Sequence, residues 1–258
     1  MRRVSTLLSV YYAYMVEYRA ELVLWVLAGS LPLILMGVWY RAAESGQFEL
    51  SGLEFIRYFL SVFLVRQFTM VWVIWDFERD INEGKLSLRL LQPLDPVWHY
   101  VASHVAERGA RLPFVIGLLV VFFALYPQAV WIPTVAEVVA GSGAVILAFA
   151  LRFAIQYTFA MMAFWSERAA ALEQAWFLVY LFLSGVAAPL TVMPEGIQAL
   201  LVWTPFPYLI YFPAAIWTGI PVDWGQGFGM GLLWLGGSWL LNRWLWRRGI
   251  KQYSGMGA

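Results

Sequence analysis

Six stretches of this 258-residue chain are apolar enough, and long or nearly long enough, to cross a lipid bilayer. A spanning helix needs about 20 mostly apolar residues. The segments run roughly over 22–40, 55–75, 112–127, 136–164, 174–190 and 225–246. Hydrophobic residues make up 62% of the chain and charged residues 13%. Soluble domains hold about 45–50% and about 25%. A soluble globule of this composition would expose apolar patches larger than such proteins carry. A soluble enzyme, a disordered tail and a nucleic-acid-binding domain are therefore excluded, and nucleic acid is not an expected partner. The expected fold class is an all-α integral membrane protein with membrane lipid as its solvent. One transmembrane domain over 1–258 holds six transmembrane helices: spans 1–2 in 22–75, spans 3–5 in 112–190 and span 6 in 225–246.

Residues 1–21 read as an amphipathic interfacial elbow helix. Val4, Leu8, Tyr11, Met15 and Tyr18 recur at helical spacing, with Arg3, Ser5, Ser9 and Glu17 largely on the other side. The following run, Leu22 to Tyr40, has 19 residues, whereas signal-peptide cores have about 7–15. A cleaved signal is therefore not expected. Basic residues set the orientation. With the N-terminus cytoplasmic, segments 1–21, 76–111, 165–173 and 247–258 hold twelve Lys and Arg, and 41–54, 128–135 and 191–224 hold Arg41 alone. This asymmetry favours an even number of spans, with both termini cytoplasmic.

The segment 191–224 is too apolar for an ordinary loop, and prolines break it too often for one straight helix. Pro189, Pro194, Pro205, Pro207, Pro213 and Pro221 fall in or beside it. Irregular backbone at membrane depth survives only when buried in protein or lining a cavity. The expectation is a Pro-rich re-entrant hairpin on the outer face, with short helical pieces over Glu195–Trp203 and Phe206–Trp217.

The cytoplasmic segment 76–111 carries the clearest local design. Gly84 breaks the preceding helix. Lys85–Leu91 makes a short helix with Leu86, Leu90 and Leu91 as an apolar side. Gln92-Pro93 ends it. Asp95 then caps a new helix with Pro96 at its first position. A short charged helix between breakers suits docking into a soluble partner. Its other reading is a membrane-skimming connector. The chain has no phosphate-binding loop of its own. That loop needs Gly-x-x-x-x-Gly-Lys-Ser/Thr, and here Gly84-Lys85 is followed by Leu86, with Arg79 five residues before Gly84.

Charges inside the spans are expensive, about 2.5–3.5 kcal/mol each for Arg on insertion scales, and usually face a bundle interior or wet cavity. Arg66, with Gln67 beside it, and Arg152, with Gln156 one turn on, are such residues. They either line a translocation path or contact an anionic substrate group, or else they satisfy helix-end carbonyls or snorkel. Gly225, Gly227, Gly229 and Gly231 open the last span with two overlapping Gly-x-x-x-Gly spacings, which suit close helix packing in lipid. No metal site and no catalytic residue is expected. There is no cysteine, and His104 and Glu107 have no apparent third ligand. Most Trp and Tyr residues serve as interface anchors.

The stretch Glu-Gly-Lys-Leu-Ser-Leu-Arg-Leu-Leu-Gln-Pro-Leu within Glu78–Pro96 resembles the loop after the second span of ABC type-2 exporter permeases. The amphipathic start, the six-span plan and the Pro-rich hairpin are similar to that family. The ending Arg-Arg-Gly-Ile-Lys-Gln-Tyr-Ser-Gly-Met-Gly-Ala resembles the cytoplasmic tail of one bacterial branch, with short outer loops. The resemblance implies that Glu83–Pro93 is a coupling helix, with Glu83, Gly84, Lys85, Leu86, Leu88, Arg89, Leu91 and Pro93 against an ATPase subunit. It implies two ATP-binding subunits, which bind ATP and Mg, and a second permease chain, the same or a different protein. It implies residence in a bacterial inner membrane and outward movement of drugs, lipids, polysaccharides or other amphipathic molecules. This chain itself is expected to hold no cofactor and to hydrolyse nothing. Two rival expectations remain. A gradient-driven transporter requires carboxylates buried in the spans, and Glu137 and Glu173 sit at span ends. A membrane-embedded lipid-modifying enzyme requires clustered acids or histidines at one interface, and Asp76, Glu78, Asp80 and Glu83 alternate with basic residues.

Overall fold

A computed structural model describes residues 2–253. Twelve α-helices and four short 3-10 turns make up the described chain, with no strand among the described residues. Helix α1 (Arg2–Glu17) packs along the first half of α7 (Val97–Leu125). Tyr18 separates it from α2 (Arg19–Ala28), so the expected elbow over 1–21 ends at Glu17. Helices α2 and α3 (Leu31–Ala43) form one kinked rod, broken at Gly29-Ser30. Helix α4 (Gly52–Thr69) starts in a capping box, with the Ser51 side chain on the Glu54 N–H and Glu54 reaching back to Ser51. It continues through a non-helical step at Met70–Trp72 into α5 (Val73–Asn82). Helix α6 (Lys85–Leu90) follows at the tip.

Among the described residues, four rods are long and apolar enough to cross a membrane: Ala20–Ala43, Gly52–Asn82, Val97–Leu125 and Val135–Phe164. The last comprises α8 (Val135–Ala160) and a 3-10 turn. Three of the six expected spans differ from expectation. Helix α9 (Ala171–Leu183) has 13 residues, about 20 Å at 1.5 Å per residue, short of the ~30 Å hydrocarbon core. Its cause is Ser184-Gly185. Gly185 takes φ 93°, a left-handed conformation in which a side chain would also meet the Tyr58 hydroxyl and Tyr211. Helix α12 (Trp224–Gln252) is long enough at 29 residues, but its glycines, Gln226, Asn242 and Arg243 dilute its hydropathy below that of the four.

The third span also differs. Its helix does not begin near the expected 112, because α7 runs unbroken for 29 residues through Pro113. Proline removes one rung of the helix ladder, while packing against α1, α2 and α4 holds the rest. The segment 76–111 is consequently not one loop. It is the end of α5, then α6, a turn at 91–96, and the first half of α7. Of the expected tail 247–258, residues to Gln252 extend α12, and 254–258 lie outside the described residues.

The proline-rich segment forms α10 (Glu195–Leu201), a 3-10 turn at Phe206–Leu209 and α11 (Tyr211–Thr218), close to the expected pieces. Helix α11 is wedged between α4 and α8, and Phe212, Ala214, Ala215 and Ile216 are buried there. The main core joins α4, α8, α9 and α11 around Phe55, Phe59, Tyr180, Leu209 and Phe212. A second core, at the α6 end, joins α5, α6, α7, α8 and the far end of α12 around Phe77, Leu86, Tyr100 and Phe164.

Candidate functional site

The tip between α5 and α7 is built by two breakers. Gly84 sits at φ 70°, ψ 6°, left-handed, and starts α6 at an angle to α5. Beyond α6, Asp95 Oδ1 accepts the Val97 N–H at 3.1 Å and opens α7. The six-residue helix between them has two distinct sides. Leu86 is fully buried in the core beside Phe77 and Tyr100. The expected apolar side of Leu86, Leu90 and Leu91 is therefore split. Leu91 is 83% exposed and Leu88 65% exposed, because helical spacing turns 88 and 91 to one face and 86 to the other. Lys85 and Glu83 pair with each other in the open, and that bond to the Lys85 ammonium holds the Glu83 carboxyl below its usual range.

Arg89 anchors rather than projects. Its guanidinium pairs with Asp80 of α5 at 2.8 Å and lies 4.4 Å over the Tyr100 ring of α7. Tyr100 donates its hydroxyl to the same carboxylate at 2.6 Å. Helix α12 joins from the other side, with Ser87 Oγ 3.1 Å from the Tyr253 hydroxyl and Arg243 3.1 Å from Asp95. Of the residues expected to meet a partner, Leu86 and Arg89 thus face inward. Lys85, Leu88, Leu91 and Pro93 remain on the outer surface with the Glu83-Gly84 turn.

Below the tip, α7 stitches the step between α4 and α5. His104 Nε2 accepts the Trp72 N–H at 2.7 Å, and its Nδ1 lies 2.7 Å from the Tyr100 carbonyl. Arg108 donates to the carbonyls of Phe68, Met70 and His104. The Phe68 and Met70 carbonyls end helix α4 and need donors that α4 itself lacks. Glu107 pairs with Arg111, and Arg111 also reaches Gln67 Oε1 at 3.5 Å. His104 and Glu107 therefore serve separate partners. None of these four residues stood out in the sequence as buried, because 76–111 read as a cytoplasmic segment. The signal available was their i, i+3, i+4 and i+7 spacing on one helix face.

The structure brings Arg66, Arg152 and Gln156 together in the bundle and separates Gln67 from them. Gln67 is tied down, donating to the Val26 carbonyl at 3.4 Å while its oxygen faces Arg111. Arg66 and Arg152 are 5% and 3% exposed. Arg152 lies 4.2 Å over the Tyr180 ring of α9. Glu173 of α9 faces Arg152 and Gln156. Among the described residues, Nε and Nη1 of both arginines, both amide atoms of Gln156, the Tyr180 hydroxyl and Glu173 Oε2 are buried without a hydrogen-bond partner.

Of the four glycines opening α12, two pack. A side chain at Gly227 would strike Phe212, and one at Gly231 would strike Leu147 and Tyr208. Gly229 has open space, and Gly225 meets its own neighbour Asp223. The i, i+4 pair 227/231 faces α8 and α11, which turns 225/229 away. One of the two Gly-x-x-x-Gly spacings is therefore a packing seam.

Among the described residues the chain is a helical bundle with four rods long and apolar enough to cross a membrane, a short two-sided helix at its tip and buried arginines within. Residues 30–257 match the family model described as ABC-2 family transporter protein, and the chain belongs to that family. None of the curated proteins matches it. The chain is thus the membrane component of a transport system.

Proposed function

We propose that this chain is the transmembrane permease subunit of an ATP-driven exporter in a bacterial inner membrane. It moves a lipid-like, amphipathic or glycan substrate out of the cytoplasm or the inner leaflet. Two ATP-binding subunits, which hold ATP and Mg, dock on α6, and a second permease chain completes the pathway. Helix α9 with its flanking turn and the long α12 serve as the fifth and sixth crossings, with both termini cytoplasmic.

One observation supports this reading above the others. Helix α6 offers Leu88 and Leu91 outward while Leu86 and the Asp80–Arg89–Tyr100 contacts fasten its inner side to α5 and α7. A push on the outer face has a rigid path into the rod that carries Arg66. Family membership adds a general expectation of ABC ATP-binding partners.

The test measures ATP turnover by the co-encoded ATP-binding protein, with and without the purified chain. Stimulated turnover and a stable complex are expected for the native chain, and loss of both for Leu88→Asp. A Leu88→Asp chain that still binds and stimulates removes the docking assignment. Transport driven by a proton or sodium gradient alone, without ATP, establishes the gradient-driven alternative.

A further inference from the structure

The buried cluster around Arg66 and Arg152 is chemically lopsided. Its donors are two guanidinium groups, the Gln156 amide and the Tyr180 hydroxyl, all with unmet hydrogen-bonding capacity among the described residues. Its one facing carboxylate is Glu173. Leaving buried donors unpaired costs about 1–3 kcal/mol each, more when charged. A set of aimed, unsatisfied donors with a surplus positive charge is a receptor for an anion.

Helix α9 is built as the cover. Glu173, Phe177 and Tyr180 fall on its inner side, and Leu178 and Phe182 on its outer side, where both are exposed. Its main neighbours are α8 and the 3-10 turn at Phe206–Leu209, with Trp176 stacked on Phe206 at 4.8 Å. It is flanked by non-helical backbone at both ends. Its start is tethered to the tip, because Glu78 of α5 accepts the Ala170 N–H at 2.5 Å and Asn82 reaches the Glu167 carbonyl at 3.4 Å.

The geometry points to a binding site for the anionic headgroup of an amphiphile, a phosphate or a carboxylate, at Arg66, Arg152, Gln156 and Tyr180. Glu173 occupies the place of that headgroup while α9 is closed. Outward movement of α9 withdraws Glu173 and opens the arginines toward lipid, so that the headgroup enters sideways with its tail still in the bilayer. The Glu78 and Asn82 tethers carry displacement of α6 to α9. This rests on the permease reading above and narrows its substrate class.

The test uses the full-length chain in dodecyl maltoside and three probes: dodecyl phosphate, dodecanoate and dodecylphosphocholine. Thermal unfolding is followed as each is titrated. Dodecyl phosphate is expected to raise Tm, and dodecylphosphocholine, with no net charge, to leave it unchanged. A rise with dodecanoate too assigns the site to anions in general, and its absence assigns it to phosphates. Glu173→Gln removes the internal competitor and should lower the half-saturating concentration by roughly tenfold. Arg152→Gln should abolish the shift and Arg152→Lys keep part of it. If Arg152→Gln does not fold, Glu173→Gln and Arg152→Lys decide. Equal shifts with all three probes, or a Glu173→Gln titration identical to the native one, overturn the site. Probe binding needs no ATPase. A failed titration with intact Leu88-dependent ATP turnover therefore strikes the site alone, and the reverse result strikes the exporter reading alone.

Discussion

Asp80 of α5 and Arg89 of α6 are joined at 2.8 Å, and the carboxylate that makes this bond also accepts the Tyr100 hydroxyl. Three helices therefore meet at one buried anion. Removing one partner of a dry ion pair costs about 3–5 kcal/mol. The Arg89 side chain is 24% exposed, so solvent screening brings the expected loss for Asp80→Ala nearer 1–3 kcal/mol. In the proposed exporter, Asp80→Ala should retain the ATPase subunit, because Leu88 and Leu91 are untouched, and lose most stimulated turnover. Arg89→Lys should recover little, since an ammonium cannot lie flat over Tyr100 while pairing in a fork. Co-elution together with ATP turnover checks both.

The tip was legible because its chemistry is local. Gly84, Pro93, Asp95 and Pro96 act on their own backbone, so they place α6 and the start of α7 without knowledge of the rest of the chain. The short helical pieces of the proline-rich segment were legible for the same reason. Contacts between distant helices were not. Arg89 reads as an exposed charge until Asp80 and Tyr100 are brought beside it, and His104 and Arg108 read as residues of a cytoplasmic helix until the step at Met70–Trp72 is seen to need donors. The run of α7 through Pro113 was hidden because proline weakens a helix locally while packing restores it. The short α9 was hidden because apolar composition alone does not locate Gly185's left-handed turn.

The step between α4 and α5 gives a stability prediction. Arg108→Leu keeps the apolar stem but leaves the Phe68 and Met70 carbonyls without their donor. Each orphaned carbonyl costs about 1–3 kcal/mol. The variant should unfold at a clearly lower temperature in detergent than Arg111→Leu paired with Glu107→Leu, which removes both members of an ion pair together. Equal unfolding temperatures would show that the step needs no external donor.

The glycine seam separates two residues of the same type on the same helix. Gly227→Leu forces a side chain into Phe212, and Gly229→Leu extends into open space. Overpacking costs about 1–3 kcal/mol. The first should lower the unfolding temperature or the yield of folded protein, and the second should leave both near the native values. A destabilised Gly229→Leu would mean that a partner chain covers that face.

Glu78 offers the most direct test of how movement at the tip reaches the arginine pair. Its carboxylate accepts the Ala170 N–H at the start of α9, where a negative charge also complements the exposed helix amides. Glu78 lies on α5, outside the outer face of α6, so docking of an ATPase subunit does not use it. Glu78→Ala should therefore leave complex formation and basal ATP turnover near native. Stimulation of turnover by dodecyl phosphate should fall by roughly tenfold, the size of a typical coupling energy between sites. Glu78→Gln keeps an acceptor oxygen without the charge and should lie between the two. Titrating ATP turnover against dodecyl phosphate for the three chains measures the link. Native stimulation in Glu78→Ala would show that α9 moves independently of the tip, and that any opening of the Arg66–Arg152 site is driven from the hairpin end through Tyr211 and Ser184, which share a 2.9 Å hydrogen bond.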